Sequence, residues 1–91
     1  MKKAVKTIIK GTVQGIFFRD FIKGNADKLR LGGYVRNLDN GAVEVFLEGD
    51  IESVDKMCEI CKEGPKHAKI KSVEISESTF QDFKDFKILH L

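Results

Sequence analysis

The stretch Tyr34-Val35-Arg36-Asn37-Leu38-Asp39-Asn40-Gly41-Ala42-Val43-Glu44-Val45-Phe46-Leu47-Glu48 decides how the rest of the chain is read. Asn40-Gly41 supplies the positive φ angles that a tight hairpin turn requires, and its flanks are rich in β-branched and aromatic residues. After the turn, Val43, Val45 and Leu47 face one side while Glu44 and Glu48 face the other, the alternation of a strand with one buried face. A β-hairpin therefore occupies the middle of the chain, and what flanks it sets the fold.

On the N-terminal side, Phe21, Ile22, Ala26 and Leu29 recur at helical spacing, which predicts a helix over residues 19–29 closed by Gly32-Gly33. Gly24 inside it costs roughly 1 kcal/mol relative to alanine. Residues 4–11, with Val5, Thr7, Ile8 and Ile9 among lysines, read as a strand. On the C-terminal side, Asp50 is the expected N-cap of a second helix with the stripe Ile51, Val54, Met57 or Cys58, and Cys61, stopped by Gly64-Pro65. Residues 70–76 read as a strand with Val73 and Ile75 on one face, and residues 83–89 as an edge strand. The order β-α-β-β-α-β predicts an α+β, ferredoxin-like sandwich with both helices on one face of an antiparallel sheet. Strands joined by a crossover helix run parallel, so the loop over residues 12–18 and Asn37 are expected at the same sheet edge.

Composition bounds the function. Ninety-one residues make a single domain, 1–91, and a formal charge of +2 is too small to imply nucleic acid or membrane on its own. Apolar residues at 42% and charged residues at 33% describe a globular chain, with no apolar run near the ~18 residues a membrane span needs. Lysines break up the N-terminal apolar residues, unlike a signal peptide, so a cytoplasmic protein is expected. Cys58 and Cys61 fall late in a helical pattern, where the helix dipole disfavours a thiolate, and only His67 and His90 remain as further zinc ligands. Two thiols on a helix face, without metal, is the expected reading.

The candidate chemistry lies in Gly11-Thr12-Val13-Gln14-Gly15-Ile16-Phe17-Phe18-Arg19, between the first strand and the first helix. A glycine-containing loop running into a helix exposes consecutive backbone N–H groups, and the helix N-terminus adds partial positive charge. Arg19 could close a planar cationic fork over an anion held by those amides. Ile16, Phe17 and Phe18 are expected to anchor the loop in the core. An arginine at a helix start also reads as an ordinary solvated charge, and Asn37 as a residue bonding its own turn. No Gly-Lys-Ser/Thr ending marks a nucleotide P-loop, and no grouping of His, Cys and carboxylates suggests a nucleophilic or metal-assisted hydrolase.

The first motif, together with Gly33-Tyr34-Val35-Arg36-Asn37-Leu38-Asp39-Asn40-Gly41-Ala42-Val43 and Gly49, resembles the acylphosphatases, with Ile16 where valine is commoner. Gly64-Pro65, Ile70-x-x-Val73-x-Ile75 and Phe86-Lys87-Ile88 are similar too, so the resemblance spans essentially the whole chain. It implies the ferredoxin-like fold and hydrolysis of acyl phosphates to carboxylate and inorganic phosphate, without metal or cofactor. It also implies that Arg19 and the amides of Gln14, Gly15, Ile16, Phe17, Phe18 and Arg19 bind the phosphate, while Asn37 orients the attacking water. The implied partners are a small acyl phosphate, with phosphate or another anion as product or inhibitor, and a monomeric state. Where the family commonly has Leu-Gly-Leu, this chain has Leu29-Arg30-Leu31, leaving Gly32 to supply the backbone freedom. Two other readings compete. A stand-alone binding module for nucleic acid or another anion shares this architecture, but an RNA-binding domain would show aromatics on its middle strands, whereas strand 3 has one, Phe46, flanked by acids. Acylphosphatase-like domains also occur at the front of larger carbamoyl-transfer enzymes, although the length of this chain favours the free enzyme.

Overall fold

A computed structural model describes residues 1–13 and 15–90. Five strands and two helices follow in the order β1 (Lys2–Gly11), α1 (Ile16–Lys28), β2 (Gly32–Asn37), β3 (Val43–Asp50), α2 (Ile51–Glu63), β4 (Ile70–Glu77) and β5 (Phe86–Leu89). The sheet order is β4-β1-β3-β2-β5. β1 and β2 both pair antiparallel with β3, so they run parallel to each other and leave the sheet at one edge. β5 pairs parallel with β2, which makes the sheet mixed rather than antiparallel. That correction follows from the tail crossing the sheet before it pairs, a path that local alternation does not reveal.

The alternation of side chains explains the layers. Val5 and Ile9 of β1, Val35 of β2, and Val43, Val45 and Leu47 of β3 form one buried face, and Ile22 and Ala26 of α1 with Val54, Met57 and Cys61 of α2 close over it. Both cysteines lie on the core side of α2, where burial pushes their thiols up, Cys61 to about 12. Burial of this kind favours the protonated thiol over the thiolate. The opposite face is covered as well. Glu48 is 4% exposed, and its two carboxylate oxygens accept the N–H groups of Gln81 (2.7 Å) and Phe83 (2.5 Å), holding residues 78–85 across the sheet. Phe83 there packs on Tyr34 and on the fully buried Phe46, so strand 3 presents no aromatic platform to solvent.

Three local expectations are corrected. α1 begins at Ile16, one turn earlier than residue 19, because Gly15 at the cap position turns the chain directly into the helix. Asp50 occupies the cap position of α2, but its carboxylate makes no capping bond and pairs with Lys2 at 3.2 Å instead. Gly32 and Gly33 do not merely end α1 but open β2, and Arg30 itself takes the left-handed conformation at φ 57°, a freedom that Gly32 does not supply. On β4, Val73 and Ile75 share one face as expected, opposite Ile9 and Thr7, with Val73 partly buried against the core and Ile75 exposed on this edge strand.

Candidate functional site

β1, β2 and β5 run in one direction, so their C-terminal ends and the start of α1 meet at a single edge of the sheet. The loop leaving β1 is clamped first. Gly11 lies so close to the Lys69 carbonyl that a Cβ would approach its oxygen to 2.0 Å, and its φ is 144°. Thr12 N–H donates to Lys69 O at 2.9 Å, and Lys69 N–H donates to Thr12 Oγ1 at 2.6 Å. Val13 and Phe18 are buried and pin the loop at both ends, whereas Ile16 is 44% and Phe17 88% exposed. The expected three-residue anchor is therefore corrected: a helix beginning at Ile16 has only one of those three positions on its inner face. Gln14, one of the expected phosphate-binding amides, lies outside the described residues.

Gly15 adopts φ 105° and ψ 168°, a combination essentially confined to glycine. It has no side chain to cap α1, no side-chain cap is made among the described residues, and the first turn carries no acid. The first four N–H groups of a helix have no intrahelical acceptor, so here Gly15, Ile16, Phe17 and Phe18 form an uncapped, electropositive helix start. The Arg19 N–H stands where the helix ladder begins, with the cap carbonyl as its acceptor.

Arg19 is half-buried on the same turn, and among the described residues it has no carboxylate partner. Its Nε donates a long bond to Gly15 O (3.4 Å) and its NH1 group contacts His90 Nδ1 at 3.2 Å. Leu89 pairs with Arg36 in the parallel β2–β5 ladder, so His90 comes level with Asn37. Asn37 ends β2 opposite Val43, which faces Ile9 on its other side, so Asn37 lies two strand spacings, about 10 Å, from β1. By alternation its side chain is on the helix-covered face with that of Val35. Asn37 Oδ1 is buried and has no hydrogen-bond partner among the described residues. Such an atom is unusual in a native fold.

Two grooves of about 420 Å³ each flank the loop. One is walled by Phe17, Phe18, Pro65, His67 and Ala68 and floored by Thr12. The other lies beside the hairpin turn, with Lys10, Lys69 and Lys71 around it. His90 and His67 were visible in the sequence only as possible metal ligands. Their places here depend on the parallel pairing of β5 and on the turn before β4, for which the sequence carries no local signal. The pronounced charge coupling is elsewhere, on the far face: Glu44 accepts from Tyr34 OH (2.6 Å) and Arg36 Nε (3.0 Å). Burial alone would raise the Glu44 carboxyl, but those two bonds outweigh it and hold it below the usual range. Burial, then the bond to Glu44, push Tyr34 up to about 12.

A ferredoxin-like sandwich, with an uncapped helix start and, among the described residues, an arginine without a carboxylate partner at the edge of its parallel strands, places the chain among small α+β proteins. Sequence comparison is more specific. The profile of the acylphosphatase family matches residues 5–88. An acylphosphatase of Dehalococcoides mccartyi strain CBDB1 is 43% identical over 88 residues, covering 94% of this chain and 97% of its own. The crystal structure of acylphosphatase from Bacillus subtilis superimposes with a TM-score of 0.91 at 33% identity, covering 99% of this chain and all (100%) of that one. The fold also recurs within full-length HypF, crystallised in a phosphate- and nucleotide-bound form, at a TM-score of 0.87 and 28% identity, where it matches 12% of that chain. The chain belongs to the acylphosphatase family. It is a hydrolase by that membership, and family and fold together support acyl phosphates as its substrates. No helix among the described residues is long and apolar enough to cross a membrane.

Proposed function

We propose that this protein hydrolyses acyl phosphates by direct attack of water on phosphorus, with no metal ion. The amides of Gln14, Gly15, Ile16, Phe17 and Phe18 cradle the phosphoryl oxygens, and the Arg19 guanidinium closes over them. The Arg19 amide, at the start of the helix ladder, has the smaller part. Asn37 Oδ1 accepts a hydrogen bond from the attacking water and holds it in line with the scissile P–O bond. The oxygen–phosphorus bond to water forms as the bond to the acyl oxygen breaks. The carboxylate leaves with its electron pair, and the water's protons end on inorganic phosphate.

Phosphoryl transfer asks mainly for positioning and charge stabilisation, and a carboxylate leaves without protonation, so no general acid is required. The observation that carries this reading is Asn37 Oδ1, a buried acceptor with no hydrogen-bond partner among the described residues, at the same sheet edge as an uncapped helix start. One chain carries every residue named, so a monomer suffices.

Hydrolysis of benzoyl phosphate in the presence of EDTA, for wild type and Arg19→Gln side by side, tests it. The expected result is fast turnover in wild type and a loss of ~3–4 kcal/mol of transition-state stabilisation, about 10²–10³ in rate, in the variant. A folded wild-type protein that fails to exceed the uncatalysed rate would sink the proposal, and dependence on added metal would remove its mechanism.

A further inference from the structure

We infer that the groove beside Phe17 and Phe18 receives the acyl group of the substrate and selects flat apolar acyl groups over small ones. This rests on the proposed reaction and names the substrate class within it. Phe17 and Phe18 belong to both features: their backbone N–H groups sit at the uncapped helix start, and their side chains wall the groove. An acyl group is joined to phosphorus through a single oxygen, so it must emerge within about a ring's length of the cradle. The groove is the apolar surface at that distance. Phe17, Phe18, Pro65 and Ala68 contribute hydrocarbon, the Thr12 hydroxyl is already engaged by Lys69 N–H, and among the described residues no acid, lysine or arginine lines it.

Phe17 is the second observation. Its ring is 88% exposed, so most of its face lacks protein contact, and this exposure follows from an outward position in the first turn of α1. A planar ring laid along it regains the lost contact. The volume, about 420 Å³, lies in the range of small-ligand sites and exceeds what a two-carbon acyl group fills. The lysine-lined groove would suit an acyl group bearing a second anion, but it shares only Gly11 and Thr12 with the loop and none of residues 15–19.

Binding of benzylphosphonate and methylphosphonate, measured by calorimetry on the intact protein, separates the groove from the chemistry. Both carry the cradle's ligand, and only the first reaches the groove. Wild type is expected to bind benzylphosphonate about tenfold tighter, the scale of a partly buried ring. His67→Ala, which opens one wall, and Ala68→Phe, which fills the groove, should each shrink that ratio to about threefold or less, with methylphosphonate reporting an intact cradle. If Ala68→Phe fails to fold, His67→Ala decides alone. The ratio of kcat/KM for benzoyl over acetyl phosphate, each divided by its uncatalysed rate, should follow the binding ratio across the variants.

Equal affinities in wild type, or a ratio unchanged by the substitutions, overturn the inference. So does tighter binding of 3-phosphonopropionate than of benzylphosphonate, which would assign the acyl end to the lysines. A benzyl preference in a protein that hydrolyses neither acyl phosphate would leave the groove standing and remove the proposed reaction. Brisk hydrolysis without preference would do the reverse.

Discussion

Asn37 and Arg30 illustrate how much one side chain or one dihedral angle can decide. An asparagine that only positions water contributes to the barrier and not to the affinity for phosphate. Asn37→Ala should therefore lower kcat on benzoyl phosphate by about 10²-fold or more while phosphate inhibition stays within about twofold. If phosphate affinity collapsed with turnover, Asn37 would belong to the cradle instead. Arg30 sits at φ 57° just after α1, a conformation costing a non-glycine residue about 1–2 kcal/mol. Glycine removes that strain but adds about 0.5–1 kcal/mol of unfolded-chain entropy. Arg30→Gly should thus stabilise by up to about 1 kcal/mol in urea denaturation, and activity should not change.

At the scale of elements, the segment over residues 78–85 does for the far face of the sheet what the helices do for the near one. Its anchor is Glu48, a buried carboxylate with one N–H on each oxygen. A glutamine has only one acceptor oxygen, so its NH₂ group would face a backbone donor. Glu48→Gln should cost about 2–3 kcal/mol. The damage should be local, with faster amide exchange at Gln81 and Phe83 than in α1. β5 follows this segment and is tied to α1 by Lys23, whose ammonium donates to Phe86 O at 3.0 Å. Loosening the segment therefore reaches His90 and, through it, Arg19. Unchanged exchange at Gln81 and Phe83 in the variant would show that Glu48 does not hold the strap.

For the molecule as a whole, stability against pH should carry the imprint of Tyr34 and Glu44. Tyr34 is raised to about 12 in the fold, so its contribution is fully present below the ordinary tyrosine value near 10 and is lost as pH rises through 12. Glu44 is lowered, so its contribution is present above the usual carboxylate range and fades as pH falls through its folded value. Wild type should be more stable than Tyr34→Phe at pH 8, with the difference in Tm narrowing from pH 10 upward. A constant difference between pH 8 and 11.5 would show that the tyrosine proton is not coupled to folding.

The sequence by itself determined the elements and the loop to which the proposed chemistry is assigned. The Asn-Gly turn, the alternation of Val43, Val45 and Leu47, and the helical spacing of Ile22 and Ala26 are local patterns imposed by turn sterics and by the need to bury one face. The common edge of the 12–18 loop and Asn37 was legible too, because two strands of one sheet joined by a crossover helix run parallel. Tertiary structure alone decided the rest. That β5 pairs parallel with β2 depends on a strap held by Glu48, thirty-five residues from Phe83. That Phe17 faces out while Phe18 faces in depends on α1 beginning at Ile16, directly after Gly15, and the loop before it is clamped by the bonds between Thr12 and the distant Lys69. His90 beside Arg19, and the apolar groove beside the cradle, are consequences of those two packing events, since contacts between distant segments are energies of assembly that no local pattern encodes.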